Sequence, residues 1–176
     1  MDLLEAILGA KNGGAVDQLA GALGLNANDA KNVIGALAPA LGKGLAKNSE
    51  SSNGLDSLLA ALESGNHQRY LDNPELAVDN NGVNEGNKIL GHILGSKDVS
   101  RQLASRASEQ TGVSDSLIKK MLPMLATIAM GALSNRSQQA PESGSALGGV
   151  LGAFLGGGNA NSMVDDLIGL AGKLLR

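Results

Sequence analysis

Apolar residues recur along this chain at helical spacing. Leu3, Leu4, Ile7 and Leu8 follow a 3.6-residue period and stop at Gly9, with Asn12-Gly13-Gly14 as a break, so a short first helix is predicted. Val16, Leu19, Ala20 and Leu23 mark a second helix, ended by Gly24. Asn26 then caps a third: its side-chain oxygen can accept backbone N–H bonds, and Asp29 sits near the positive helix end. Ala30, Val33, Ile34, Leu37, Leu41 and Leu45 form the apolar face of that helix. Pro39 lies deep inside it, lacks an N–H and crowds the preceding turn, which predicts a kink or break about one turn earlier.

Residues 48–53 are polar and read as a loop; Leu55, Leu58, Leu59 and Leu62 then make a short helix stopped at Gly65. Residues 66–84, with Asn73-Pro74 and Asn80-Asn81-Gly82, read as a turn-rich linker. Val83, Ile89, Leu90, Ile93 and Leu94 form the next helix, which Gly95 can end. Val99, Leu103, Ala104 and Ala107 mark another, followed by the turn and cap Thr111-Gly112-Val113-Ser114. The helix after Ser114 carries Leu117, Ile118, Met121, Leu122, Leu125, Ile128, Ala129 and Leu133 and has no charge between Lys120 and Arg136. A helix apolar on most sides belongs at the centre of a fold.

Residues 134–145 are polar and read as flexible. Beyond them Gly144, Gly148, Gly152 and Gly156 recur at strict four-residue intervals, with Phe154, the chain's single phenylalanine, on the same segment. In a helix these glycines would nearly align into a groove for another backbone. Each costs about 0.8–1 kcal/mol of helix propensity relative to alanine, so the segment needs a partner. Ser162 with Asp165 makes a capping-box-like start to a last helix carrying Met163, Leu167, Ile168, Leu170, Ala171, Leu174 and Leu175.

Residues 24–47 recur 88 residues later as residues 112–135, and 88 is half of the 176-residue chain. The shift pairs Leu25 with Val113, Ala30 with Ile118, Val33 with Met121, Ile34 with Leu122, Leu37 with Leu125, Ala38 with Ala126 and Leu45 with Leu133. Gln18-Leu19-Ala20 and Pro39 match Gln102-Leu103-Ala104 and Pro123 at an offset of 84 instead. Four residues are close to one helical turn, so either register keeps the apolar face inward; 88 is preferred because it aligns the turn. What repeats is an apolar face, which speaks of architecture and brings no reactive pair with it.

With one Tyr (Tyr70), one Phe and no Trp, the core must be built from aliphatic side chains, and 25 glycines allow close helix approach. The absence of cysteine removes disulfides and thiolate chemistry together. The acidic start Met1-Asp2-Leu3-Leu4-Glu5 is unlike a secretory leader and reads as cytoplasmic. No stretch offers the roughly 20 apolar residues of a membrane span; the longest candidate, residues 121–133, is shorter and carries a proline. Net charge is −3, but residues 1–88 carry −5 and residues 89–176 carry +2. Glu50, Asp56, Glu63, Asp72, Glu75, Asp79 and Glu85 face Arg69 alone, a field that repels nucleic acid. Lys97, Arg101, Arg106, Lys119, Lys120 and Arg136 are interspersed with acids and have no aromatic residues for base stacking.

No constellation for catalysis, cofactor or metal stands out. His67 and His92 are 25 residues apart, without the spacing that puts two ligands on one metal; both read as turn or flank imidazoles at the surface. Gly35 to Gly42-Lys43 has six residues where a phosphate loop has four, and Gly44 replaces the needed hydroxyl. Aligning Gly82 with a calcium-loop glycine puts Asp79 and Asn81 at ligand positions but Ala77 at the first and Lys88 at the last, so residues 79–85 read as a turn with weak divalent-ion binding as the alternative. Asp165-Asp166 suits a helix start.

Taken together, Asn87-Lys88-Ile89-Leu90-Gly91-His92-Ile93-Leu94-Gly95, the turn Thr111-Gly112-Val113-Ser114, Met121-Leu122-Pro123-Met124-Leu125-Ala126-Thr127-Ile128-Ala129-Met130-Gly131 and the tail Leu167-Ile168-Gly169-Leu170-Ala171-Gly172 resemble a bacterial family. That family is catalogued as domain of unknown function 937, with YidB-like relatives. The resemblance covers nearly the whole chain and is most specific over residues 88–131. Thr127 departs from it, standing where a second proline is expected in many relatives. The resemblance implies an all-helical fold in a bacterial protein and carries over no catalytic residues.

The expectation is therefore an all-α, compact multi-helical array with an internally duplicated helix-turn-helix unit of about 88 residues and kinked central helices. Its parts are a first helical half (1–65), a linker (66–84), a second half (85–136), a flexible linker (137–144) and Gly/Leu-rich C-terminal helices (145–176). Its function is expected to be non-enzymatic and without cofactor, acting through protein contact or self-association at Gly144, Gly148, Gly152, Gly156 and Phe154. The partner would be a second copy or another protein, and not nucleic acid. Alternatives are peripheral membrane attachment by the Leu/Gly-rich tail, whose Asp165 and Asp166 suit anionic lipid poorly, and an enzyme using surface carboxylates such as Glu85 with His92.

Overall fold

A computed structural model describes residues 3–64 and 66–139, and among them every element is helical. Helix α1 (Leu3–Gly9) is followed by a 3-10 turn (Ala10–Gly13) and α2 (Gly14–Leu23). Gly24 ends α2 in the left-handed region at φ 67°, and its N–H reaches back to the carbonyls of Ala20 and Gly21. Helix α3 (Ala27–Ser49) starts where expected, the Asn26 side chain accepting from the Asp29 N–H at 2.8 Å. Then come α4 (Ser52–Ser64), α5 (Gln68–Asp72), α6 (Glu75–Val78), α7 (Asn80–Leu94), α8 (Lys97–Thr111) and α9 (Asp115–Gln139).

Helix α9 is the centre. Residues 121–134 are all buried, and every other described helix packs against it. Its sequence requires this: an uncharged stretch carrying Met121, Leu122, Leu125, Ile128 and Leu133 has no face to give to water, and each such side chain contributes about 1.5–3 kcal/mol by its burial. Contrary to the sequence expectation, the segment Asp115–Asn135 is long and apolar enough to cross a bilayer; yet 78% of its most apolar window is already buried inside the fold. Helix α3 instead keeps one side in water, with Lys31, Pro39, Lys43 and Lys47 exposed.

Of the kink or break expected one turn before Pro39, no break occurs, and none occurs at Pro123. Helix α3 continues through Pro39 and α9 through Pro123. One missing N–H removes one ladder bond, while both helices are held along their length by neighbours, and packing outweighs that loss.

The 88-residue offset recurs in the local geometry. Gly24 and Gly112 are both left-handed, at φ 67° and φ 74°, and the helices after them begin at Ala27 and Asp115. The surroundings do not recur, because α3 is half exposed and α9 is enclosed.

Residues 66–84, read from sequence as a linker, are folded. Tyr70 and Ala77 are buried, α5 and α6 lie on α9, and Asp79 caps α7 by accepting from the Gly82 N–H at 2.7 Å. The turn read at Asn80-Asn81-Gly82 is thus the first turn of a helix. Its asparagines and glycine score poorly as helix formers, but the cap and the packing of Gly82 decide otherwise.

Candidate functional site

Three close approaches position the polar centre of the molecule. A Cβ on Gly82 would lie 2.8 Å from the Cα of Ala77, one on Gly86 would lie 2.9 Å from the Cα of Pro123, and one on Gly131 would lie 2.6 Å from the carbonyl oxygen of His67. Of the two α7 glycines, four residues apart, Gly82 lets the helix fold back against α6 and Gly86 lets its backbone touch α9, while Gly131 of α9 lets the start of α5 settle on it. Beside this crossing the Thr127 hydroxyl donates to the Pro123 carbonyl at 2.7 Å and lies 3.4 Å from that of Gly82.

On this frame α5 and α7 bring together His67, Arg69, Tyr70 and Glu85. One oxygen of Glu85, Oε2, accepts a short hydrogen bond from the Tyr70 hydroxyl and another from Arg69 Nη2 at 3.1 Å. Arg69 Nη2 also donates to the Tyr70 oxygen at 2.6 Å, and its guanidinium lies 4.7 Å from the centroid of the Tyr70 ring. The other oxygen, Oε1, lies 3.1 Å from Nδ1 of His67, without the alignment of a good hydrogen bond. His67 Nε2 is 2.9 Å from the Ala61 carbonyl of α4. That contact fixes the ring, because a carbonyl only accepts and Nε2 must therefore carry a proton.

Burial divides the four residues. Tyr70 and His67 are 1% and 4% exposed, whereas the side chains of Glu85 and Arg69 are 27% and 45% exposed. Burial pushes the Tyr70 phenol above its ordinary range, with the Glu85 carboxylate acting in the same direction. The bond to Tyr70 is the largest influence raising the Arg69 guanidinium. The set ties three helices together by side chains that mainly engage one another, with only the carboxylate and the guanidinium reaching water.

The sequence placed the chemistry elsewhere. Gly144, Gly148, Gly152, Gly156 and Phe154 lie outside the described residues. His92 is exposed, as expected of a flank residue, but His67 is not the surface imidazole its turn-like sequence suggested. Asp79 and Glu85 do not converge as cation ligands, since Asp79 caps α7 and Glu85 turns to α5. Among the described residues no three His, Cys, Asp or Glu side chains form a cluster fit for a metal ion. Sequence reasoning missed the four-residue set, although two signals pointed to it: the only tyrosine of the chain stood in a supposed linker, and Gly82 and Gly86 stood four apart beside it.

A family model described as a bacterial protein of unknown function (DUF937) matches residues 5–136, and the chain belongs to that family. No curated protein and no solved structure matches it.

Proposed function

We propose that this member of the family acts without catalysis, as a helical module that works through protein contact, and that it self-associates through the glycine-spaced segment around residues 144–156. The observation that carries the reading is how the described helices use their apolar side chains. They turn them inward onto one another and onto α9, and among the side chains whose burial is described Val99, at 43%, is the large apolar one left exposed. An apolar contact with a second copy would then draw on Gly144, Gly148, Gly152, Gly156 and Phe154, where small residues at helical spacing permit close backbone approach. The His67–Arg69–Tyr70–Glu85 set supports the same reading, since its polar atoms mainly serve to join helices.

The test is absolute mass by light scattering after size exclusion, over a wide concentration range, for the full chain and for Gly152→Leu. The wild-type chain is expected to exceed its monomer mass of 17.7 kDa and the variant to return to it with unchanged helicity. A wild-type monomer at all concentrations overturns self-association. Flotation of the full chain with liposomes would favour membrane attachment by the tail in its place.

A further inference from the structure

Exposed charge is sorted by helix in this fold. Over residues 30–49 of α3 the charged side chains are Lys31, Lys43 and Lys47; all three are exposed, and none makes an ion pair among the described residues. Between them lie the exposed Pro39 and the half-buried Gly35, Ala36 and Ala40, so the outer face of α3 has little relief. A Cβ on Gly35 would meet nothing within 4 Å. Pro39 also offers no N–H to the Gly35 carbonyl, which leaves that face one backbone acceptor without its helical donor.

Residues 48–87 carry the opposite sign. Arg69 is their one Lys or Arg, and Glu85 and Tyr70 already engage it. Asp72 of α5, Glu75 of α6 and Asp79 at the start of α7 are exposed and have no cationic partner among the described residues. Helices α5 and α6 pack on α9, whereas α3 packs chiefly on α1, α2, α7 and α8, and no ion pair joins the two sets of charges within one chain.

We propose that the outer face of α3, at Lys43 and Lys47, docks against Asp72 and Glu75 on the α5–α6 edge of a second copy, a contact that rests on the self-association above only in having that copy as its partner. Charge complementarity selects the occupant. Nucleic acid would be repelled by the acidic edge, and a lipid surface would meet lysines flanked by no large exposed apolar side chain to insert. An exposed ion pair shifts an equilibrium only a few-fold, so the two lysines, one helical turn apart, act as a set and orient one copy on the next.

Sedimentation equilibrium of the full chain at about 20 mM and about 500 mM salt tests this, since screening shortens from beyond about 10 Å to a few ångströms between them. Association should weaken at least about fivefold at the higher salt. At low salt Lys43→Glu with Lys47→Glu, and separately Asp72→Lys with Glu75→Lys, should each weaken it by a similar factor. An equimolar mixture of the two variants should regain wild-type strength, because the reversed faces are again complementary. Lys88→Glu with Lys97→Glu carries the same net charge as the α3 variant and should associate like the wild type. A mixture no tighter than its components overturns the contact, as does a control as weak as the α3 variant. Association that ignores both salt and these substitutions also overturns it and leaves the segment around residues 144–156 standing. Salt-sensitive association that persists in Gly152→Leu and responds to the charge exchange upholds it and removes that segment instead. A wild-type monomer at every concentration overturns both; if that monomer binds vesicles of phosphatidylcholine with phosphatidylglycerol through Lys43 and Lys47, the face belongs to lipid.

Discussion

Gly86 of α7 meets Pro123 of α9 backbone to backbone, so closely that a Cβ on Gly86 would fall 2.9 Å from the proline Cα and nearer still to its carbonyl oxygen. Neither group is the end of a flexible side chain, so neither can turn aside. The contact sets the separation of the two helices and, through α7, the position of Glu85 one residue away.

Gly86→Ala should therefore cost about 1–3 kcal/mol in urea unfolding, because the helices must part to admit the methyl group. Gly91→Ala in the same helix meets nothing within 4 Å and should stabilise by about 0.5–1 kcal/mol through helix propensity alone. Opposite signs for one substitution in one helix is the expected outcome; equal signs would show that the crossing is looser than described.

Tyr70 is the only tyrosine and the chain has no tryptophan, so tyrosinate absorbance reads this one group. Its titration should have a midpoint above the ordinary value of about 10. The folded phenol holds its proton more tightly than the unfolded one. Its contribution to stability is thus complete below about pH 10 and is lost as pH rises through the higher folded value. Tyr70→Phe should remove that alkaline loss and cost about 0.5–1.5 kcal/mol at neutral pH, as one hydrogen bond to Glu85 disappears. A midpoint at or below the ordinary value would contradict the burial of the ring.

Leu125 is fully buried in α9, and Leu125→Ala should cost about 2–5 kcal/mol in chemical denaturation. Val99→Ala, on the exposed side of α8, should stay within about 0.5 kcal/mol of wild type. Comparable costs at the two sites would mean that α9 is not the enclosed helix.

Gly24 and Gly112 end α2 and α8 in the left-handed region with open space around them. Alanine at either position should cost roughly 1–2 kcal/mol, the penalty of a side chain in that backbone conformation. Similar losses at the two sites, measured by thermal unfolding, would follow from their shared geometry; no loss would mean that the turns relax freely.

Most helices were legible in the order of residues, since amphipathic spacing, Asn26 as a cap and Gly24, Gly95 and Gly112 as stops act within a few residues of chain. The centrality of α9 was legible too, because a stretch without charge has only one place to go. The candidate site was not. Glu85 is 18 residues from His67 in sequence, and no local rule pairs them. Residues 66–84 carry turn-forming residues whose local preference was overridden by burial of Tyr70 and Ala77 and by the fit of Gly82 and Gly86 against neighbouring backbone.

By itself, then, the sequence determined which segments are helical, where several of them start and stop and which one is apolar enough to be enclosed, because those properties follow from backbone geometry and side-chain periodicity at short range. Tertiary structure alone decided that both prolines sit inside unbroken helices, that the supposed linker covers the central helix, and that four polar side chains meet at the α5–α7 contact. These depend on which surfaces come together across long stretches of chain, and there the free energy of packing exceeds the local preference of any single residue.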